Sequence, residues 1–223
     1  MDDRPSAYLD LYDYRVQVSA MDRERHRALA AGEDPEQVVT GFRAKRDRLF
    51  ATHQQSALDA GQRRAFQGLV YFEYDPRARV EATVTSDVES RQIDMGTSGP
   101  DALPMHVVAY LDFRYRDRAA RLSLFWIDVY GGGLFLPFRD TTAPDVTYGA
   151  GRYLFDTVKG STFERLDGLD GEQRIVLDFN YAYNPSCAYN PRWACPLAPP
   201  ENRLPFAVPA GEKKFEDRSQ VAP

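Results

Sequence analysis

At Gly68 the hydrophobic rhythm of this chain changes period, and that change constrains the fold more than any other feature. Before it, Leu11, Tyr14, Val18 and Met21 recur at i, i+3, i+7 and i+10, which puts them on one face of a helix. Gly32 stops that helix. Asp34-Pro35 then reads as an N-cap followed by proline at the first helical position, with Gln37 at the third. Val39, Phe42, Leu49 and Phe50 form the apolar face of this second helix. Asp59 followed by Gln62 repeats the capping pattern and predicts a short third helix ending near Phe66. Arg and Asp fill the outer faces, as on solvated helices.

After Gly68 the period is two. Leu69–Tyr74 is one expected strand, and Val80, Ala82 and Val84 mark a second. Ala109, Leu111, Phe113 and Tyr115 mark a third. Arg116–Ala119 reads as a turn, and Leu122, Leu124, Trp126, Asp128 and Tyr130 alternate on the returning strand. Gly131-Gly132-Gly133 interrupts, then LFLPF, Arg152–Phe155 and Arg174–Phe179 resume extended structure. Helices followed by many short strands predict an α+β fold. Its N-terminal helices would pack on a strongly curved antiparallel sheet or a small β-barrel. The expected organisation is one domain: a helical segment over 1–67, a β unit over 68–211, and a frayed polar tail over 212–223.

Composition narrows the function classes. A net charge of −5, with both signs interspersed, gives no general attraction to nucleic acid. The N-terminus is acidic, and no apolar run approaches the roughly 20 residues that span a bilayer. The expectation is a cytoplasmic protein, not bound to membrane, whose cysteines are reduced.

Both cysteines lie in one segment, DFNYAYNPSCAYNPRWACPLAPP, over 178–200. The tetrapeptide AYNP occurs there twice, once on each side of Cys187. Each Asn-Pro forces a turn or extended backbone, so the segment reads as an ordered loop. Cys187 and Cys195 are separated by seven residues, unlike the close pairs of structural zinc sites. Weak metal candidates are Cys187, Cys195 and His106. Cys187 is also a candidate nucleophile, although no histidine is near it in sequence. Simple packing of two small side chains is the third reading.

Two further groups carry chemistry. The triple glycine permits positive φ, yet no Walker or dinucleotide pattern surrounds it, and a corner between strands explains it equally. Arg139-Asp140 and Arg152-Tyr153 follow; an arginine there could grip an anion or bridge to Asp140 or Asp156. Asp128 falls on the apolar register of its strand, and Asp178 ends a strand ahead of the loop, so both are candidate acids or bases.

Four segments resemble the uncharacterised prokaryotic family catalogued as domain of unknown function 1684. They are RAKRDRLFATHQQSAL…QRRAFQGLVYFEYDPRARVEA, LPFRDTT…TYGAGRYL, LDFNYAYNPSCAYNPRWACPLAPPENRLP and the closing AGEKKF, together spanning about residues 40 to 215. Ala150 departs from the family's usual Tyr-Gly-Gly-Gly-Arg-Tyr run, which argues against a need for positive φ at that position. The resemblance implies that the motifs around Asp140–Thr142, Tyr148–Tyr153 and Asn180–Asn202 belong to one coherent domain. It implies no activity, and no cofactor follows from the residues either.

The resulting expectation is a pocket at the end of the sheet for a small, anionic organic ligand. Its polar groups would be Arg139, Asp140, Tyr148, Arg152, Asn180, Tyr183 and Asn184. Tyr153, Tyr189 and Trp193 would supply aromatic walls. The alternatives are an enzyme using a metal or reactive thiol at Cys187 and Cys195, and a structural module in which the loop braces a homo-oligomer.

Overall fold

The computed structural model describes residues 5–167 and 173–220. The first residues of the expected helical segment and the last residues of the expected tail lie outside that range. Helices α1 (Pro5–Ala30), α2 (Pro35–Thr52) and α3 (Ala60–Ala65) precede eight strands. These are β1 (Arg79–Thr85), β2 (Arg91–Gly96), β3 (Ala102–Tyr115), β4 (Arg118–Ile127), β5 (Gly133–Phe138), β6 (Arg152–Asp156), β7 (Glu164–Asp167) and β8 (Gln173–Asp178).

The helix boundaries follow their caps. Asp34 accepts from the Glu36 amide at 3.2 Å with Pro35 behind it, so the cap forms without involving Gln37. At α3 the capping box is complete: the Gln62 amide reaches Asp59 Oδ1 and the Asp59 amide reaches Gln62 Oε1, each at 2.9 Å.

All strand pairings in the described residues are antiparallel, in the order β6-β5-β4-β3-β1-β8-β7, with β2 on β3 beside β1. The sheet is strongly curled into a half-barrel, so the α+β expectation holds. β3 and β4 form the long hairpin, turning at Arg116 and Asp117, both at positive φ. Phe179 lies fully buried in the main core, with the rings of Phe113, Tyr115 and Phe138 at 5.8, 5.9 and 5.2 Å. Burial of one such side chain contributes about 1.5–3 kcal/mol. Along 202–208 every even residue is buried and every odd one exposed, although Pro205 and Pro209 keep this stretch out of the ladder. Leu204, Phe206 and Val208 thereby fill the core, and Asn202 ties β4 to β5 through Ser123 (2.7 and 2.9 Å) and the Pro137 carbonyl (2.7 Å).

Several expectations change. A bulge between Val107 and Ala109 moves the odd residues of β3 from one face to the other. Ala109, Leu111 and Phe113 join the main core, whereas Met105 and Val107 join a second cluster with Phe125, Ile127 and Phe135. β4 ends at Ile127, so Asp128 leaves the ladder with its side chain 53% exposed and paired to His106 at 3.2 Å. It is not a buried carboxylate. Tyr130 is fully exposed. The segment 69–74 forms only a bridge to the residues around Glu212, rather than a strand of the sheet. β2 and β7 escape the sequence pattern because they are short, polar edge strands.

The glycine corner explains itself. Gly132, at φ +54, turns the chain between β4 and β5, and a β-carbon there would lie 2.2 Å from the Trp126 indole. In the TYGAGRYL motif the positive φ (+99) falls on Gly151, so Ala150 is tolerated. No helix among the described residues is long and apolar enough to cross a membrane.

Candidate functional site

Glu212 is the hub that joins the helices, the sheet and the AYNP loop. It is 1% exposed. Its carboxylate pairs with Arg46 of α2 at 3.2 Å, accepts the Asn184 amide at 3.2 Å and the Asn184 side-chain Nδ2 at 3.1 Å, and accepts the Tyr189 hydroxyl. Arg46 also donates to the Tyr189 oxygen at 3.2 Å. Burial opposes the Arg46 charge, but Tyr189 and Glu212 outweigh it and hold the guanidinium protonated. Burial, reinforced by Glu212, pushes the Tyr189 phenol up, so it stays neutral and donates. A residue that the sequence places in a frayed tail is thus a buried anchor. Its amide bonds the Ala182 carbonyl at 2.8 Å, and the next residue's amide bonds Val70 at 2.8 Å.

Above this hub, α1 and α2 roof a cleft whose open space, solvent mouth included, is about 720 Å³. Tyr14, Val18 and Met21 line it from the α1 stripe; Phe42, Arg46 and Phe50 line it from α2. The floor comes from Tyr153 and Leu154 of β6 and from the loop residues Tyr181, Tyr183, Asn184 and Tyr189. The lining is chiefly aromatic and aliphatic, the composition of an organic-ligand site.

Four buried polar atoms on residues that line the cleft have no hydrogen-bond partner among the described residues: Asn184 Oδ1, the Tyr181 hydroxyl, Arg46 Nε and Arg25 Nε, the last of which still faces Asp22 as an ion pair at 2.7 Å. The Asn184 amide orientation is fixed because Nδ2 faces two acceptors, Glu212 Oε1 and the Lys213 carbonyl at 2.7 Å. Its Oδ1 is therefore a bare acceptor. Leaving such a group buried and unpaired costs about 1–3 kcal/mol.

The cations at the cleft each carry a carboxylate partner: Arg46 has Glu212, Arg25 has Asp22 at 2.7 Å, and Lys159 has Asp156 at 4.0 Å. The charge around the cleft is balanced, which removes the reason for expecting an anion.

The expected site residues divide into two groups. Tyr153, Tyr183, Asn184 and Tyr189 meet in the cleft. Arg139, Asp140, Tyr148, Arg152, Asn180 and Trp193 do not line it. Arg152 and Asp140 form a buried ion pair at 2.7 Å, each side chain 1% exposed. Arg152 also donates to the carbonyls of Val208 (3.0 Å), Ala210 and Glu212 (3.2 Å). Asp140 Oδ1 accepts from the Thr142 and Val208 amides. The pair clamps the C-terminal segment to β6 and presents no charge to a ligand. Arg139 sits in backbone bonds with Asn202 and Leu204. Asn180 is spent on Asp75 and Asp178. The Trp193 indole donates to the Ala57 carbonyl at 3.0 Å.

Asp178 caps the turn after β8, accepting from the Asn180 amide at 3.0 Å. Burial raises its pKa, but that carboxylate is a cap. It lines a smaller cavity shared with Arg25, His26, Phe155 and Tyr181. Burial, helped by Arg25 and Arg79, pushes His26 from 6.5 down to about 4. The folded protein therefore refuses a proton that the unfolded chain accepts near pH 6.5. As pH falls from 6.5 toward 4, protonation draws the equilibrium toward the unfolded state, and stability is lost. Asp22, Asp156 and Asp178, raised by burial, act in the opposite direction. Urea midpoints across this window should fall more steeply with acidification for the wild type than for His26→Gln. Identical pH profiles would contradict the burial of a neutral imidazole.

Both cysteines are free thiols, Cys195 buried and Cys187 partly exposed. The Cys187 amide donates to Cys195 Sγ at 3.3 Å, and the Tyr148 hydroxyl reaches Cys187 Sγ at 3.6 Å. His106 bonds Asp128 instead of the cysteines. Among the described residues no group of three or more His, Cys, Asp or Glu is placed to hold a metal ion.

The cleft residues that sequence reasoning misses are Arg46, Phe42 and the α1 stripe, together with the Glu212 hub behind them. The stripe is visible as periodicity, which marks a packing face equally well. The signal for Glu212 is the closing AGEKKF motif, which lies far from its partners in sequence.

The solution NMR structure of an uncharacterized protein from gene locus rrnAC0354 of Haloarcula marismortui is similar to this chain, with a TM-score of 0.57. The two are 38% identical over 80% of this chain and 93% of that one. No match to a curated protein was found. The family model described as protein of unknown function (DUF1684) matches residues 64–213, a span holding the half-barrel, the AYNP loop and Glu212. The chain belongs to the DUF1684 family.

Proposed function

We propose that the cleft under α1 and α2 binds a small, flat, largely apolar organic molecule that carries a hydrogen-bond donor. One observation carries this reading: Asn184, a residue lining a chiefly aromatic and aliphatic cleft, holds in Oδ1 a buried, fixed acceptor without a partner among the described residues. A small shift of the lining side chains would open it to a ligand N–H or O–H, and ring faces would pack against Tyr14, Phe42 and Tyr183. Arg46 Nε and the Tyr181 hydroxyl offer a second polar contact. The balanced ion pairs favour a neutral or weakly polar ligand over a strongly anionic one.

A fragment library rich in aromatic amides, phenols and anilines tests this by thermal shift. A fragment present at about 100 times its Kd stabilises by about 2.7 kcal/mol. At about 2–4 °C per kcal/mol for a chain of this size, the melting temperature should rise by roughly 5–10 °C. Val18→Trp should fill the cleft from α1 and abolish the shift while leaving the fold intact by circular dichroism. Hits that bind Val18→Trp as well as the wild type would refute the site. A library without any donor-bearing hit would refute the ligand chemistry.

A further inference from the structure

We propose that Cys187 and Cys195 form a redox-active dithiol, in which Cys187 reduces hydroperoxides and Cys195 resolves the product by closing an intramolecular disulfide. The pair is independent of the cleft, because neither sulfur lines it.

Three geometric facts carry it. The Cys195 sulfur accepts the Cys187 amide at 3.3 Å, which sets the buried thiol directly beside the Cys187 backbone. The seven intervening residues fold back through Pro191 and the Asn190–Trp193 turn, which returns the Cys195 sulfur to the Cys187 amide. The partners are unequal: Cys187 is partly exposed on the short turn Ser186–Ala188, whereas Cys195 is 1% exposed. Cys195 is anchored from both sides, its amide on Ser98 Oγ at 3.0 Å and its carbonyl on the Ser98 amide at 2.9 Å.

The chemistry follows from who donates to whom. Cys187 Sγ receives a hydrogen bond from the Tyr148 hydroxyl at 3.6 Å, a phenol that burial keeps neutral. Donors aimed at sulfur favour the thiolate. With the Cys195 thiol as the first cause, the Cys187 pKa is lowered to about 6, while Cys187 and burial push Cys195 up. Cys187 is the thiolate and Cys195 the protonated reserve.

The Cys187 thiolate attacks the terminal oxygen of a hydroperoxide. The O–O bond breaks, a sulfenic acid forms on Cys187, and the leaving alkoxide takes a proton to become an alcohol. Cys195 then loses its proton and attacks the Cys187 sulfur. The S–O bond breaks, water leaves, and the disulfide forms. Two thiols have been oxidised, and the peroxide has been reduced to alcohol and water. A small-molecule thiol returns the pair to the reduced state by exchange.

The experiment uses the reduced wild-type chain, hydrogen peroxide as the probe, alkylation of the remaining thiols after denaturation, and intact and peptide mass spectrometry. The expected product has lost two hydrogens, carries no alkylated cysteine, contains a Cys187–Cys195 crosslink and reverts with excess dithiothreitol. Without peroxide, native Cys187 should alkylate about tenfold or more faster than Cys195 at pH 7, with half-maximal rate near pH 6. In Cys195→Ala a dimedone adduct should accumulate on Cys187. Oxidation of Cys187 to sulfinic acid with Cys195 still a thiol would overturn the proposal. So would crosslinks that form only between chains, or faster alkylation of Cys195 than of Cys187. The wild-type measurements decide the matter even where a variant folds poorly.

Discussion

Replacing Glu212 with alanine should lower the unfolding free energy by roughly 3–5 kcal/mol. The loss comes from what is left behind. Arg46 is 8% exposed and would keep its charge without a carboxylate. Tyr189 would lose its acceptor, and Asn184 would lose the partner of its amide and one of the two acceptors of Nδ2. The stranded guanidinium accounts for most of the loss, because removing one member of a buried pair leaves the other charge uncompensated. Glu212→Gln keeps the shape and an acceptor oxygen, so its loss should be smaller. Urea denaturation with a common m-value checks both. A Glu212→Ala loss under about 1 kcal/mol would mean that the hub is wet, since solvent-exposed pairs contribute that little.

Arg152→Met should be similarly damaging, by roughly 3–5 kcal/mol, for a related reason with a different geometry. Asp140 would be left charged at 1% exposure, the carbonyls of Ala210 and Glu212 would lose the Arg152 donor, and Val208 would keep only the Ala210 amide at 2.8 Å. The charge and the carbonyls can be separated. Asp140→Asn removes the stranded charge but keeps an oxygen for the Thr142 and Val208 amides. The double variant Arg152→Met with Asp140→Asn should therefore be more stable than Arg152→Met alone. It should still fall short of the wild type, because each unpaired buried carbonyl costs about 1–3 kcal/mol. A double-mutant cycle should return a coupling of about 0.5–3 kcal/mol or more. Additive effects would show that Arg152 and Asp140 do not act as a pair.

These two hubs also mark how far the sequence can be read. Local signals are legible: the Asp59–Gln62 box and the Asp34-Pro35 start form, and the turn expected over Arg116–Ala119 forms at Arg116-Asp117, with Arg118 and Ala119 already in β4; all reflect contacts within a few residues. Period-two runs locate most strands and the curved antiparallel architecture. Three kinds of information are not local. The bulge at Val107–Ala109 inverts the facing of one half of β3 without leaving a mark in its alternation, because both faces there are covered by apolar residues. Edge strands β2 and β7 bury too few side chains to show a pattern. Arg46 and Glu212 are separated by 166 residues, and a single charge on a helix looks the same whether it meets water or a buried partner. For the same reason the Arg139–Arg152 region reads as a site: arginine beside glycine fits an anion cradle and a structural clamp equally well. Burial decides between them, and here it favours the clamp. The AYNP loop takes the turns that its prolines favour, at Ser186–Ala188 and Asn190–Trp193. Two of its asparagines differ: Asn180 is spent on Asp75 and Asp178, whereas Asn184 bonds Glu212 and also lines the cleft.

Whether the cleft over Asn184 is a binding site is tested most directly by amide-resolved NMR during titration of a donor-bearing aromatic fragment. Saturable shifts are expected to concentrate at Tyr14, Val18, Asn184 and Tyr189, with Arg139, Asp140 and Arg152 unmoved. Shifts centred on the Arg139–Arg152 clamp, or no saturable shift at the cleft residues for fragments that stabilise the protein, would contradict that assignment.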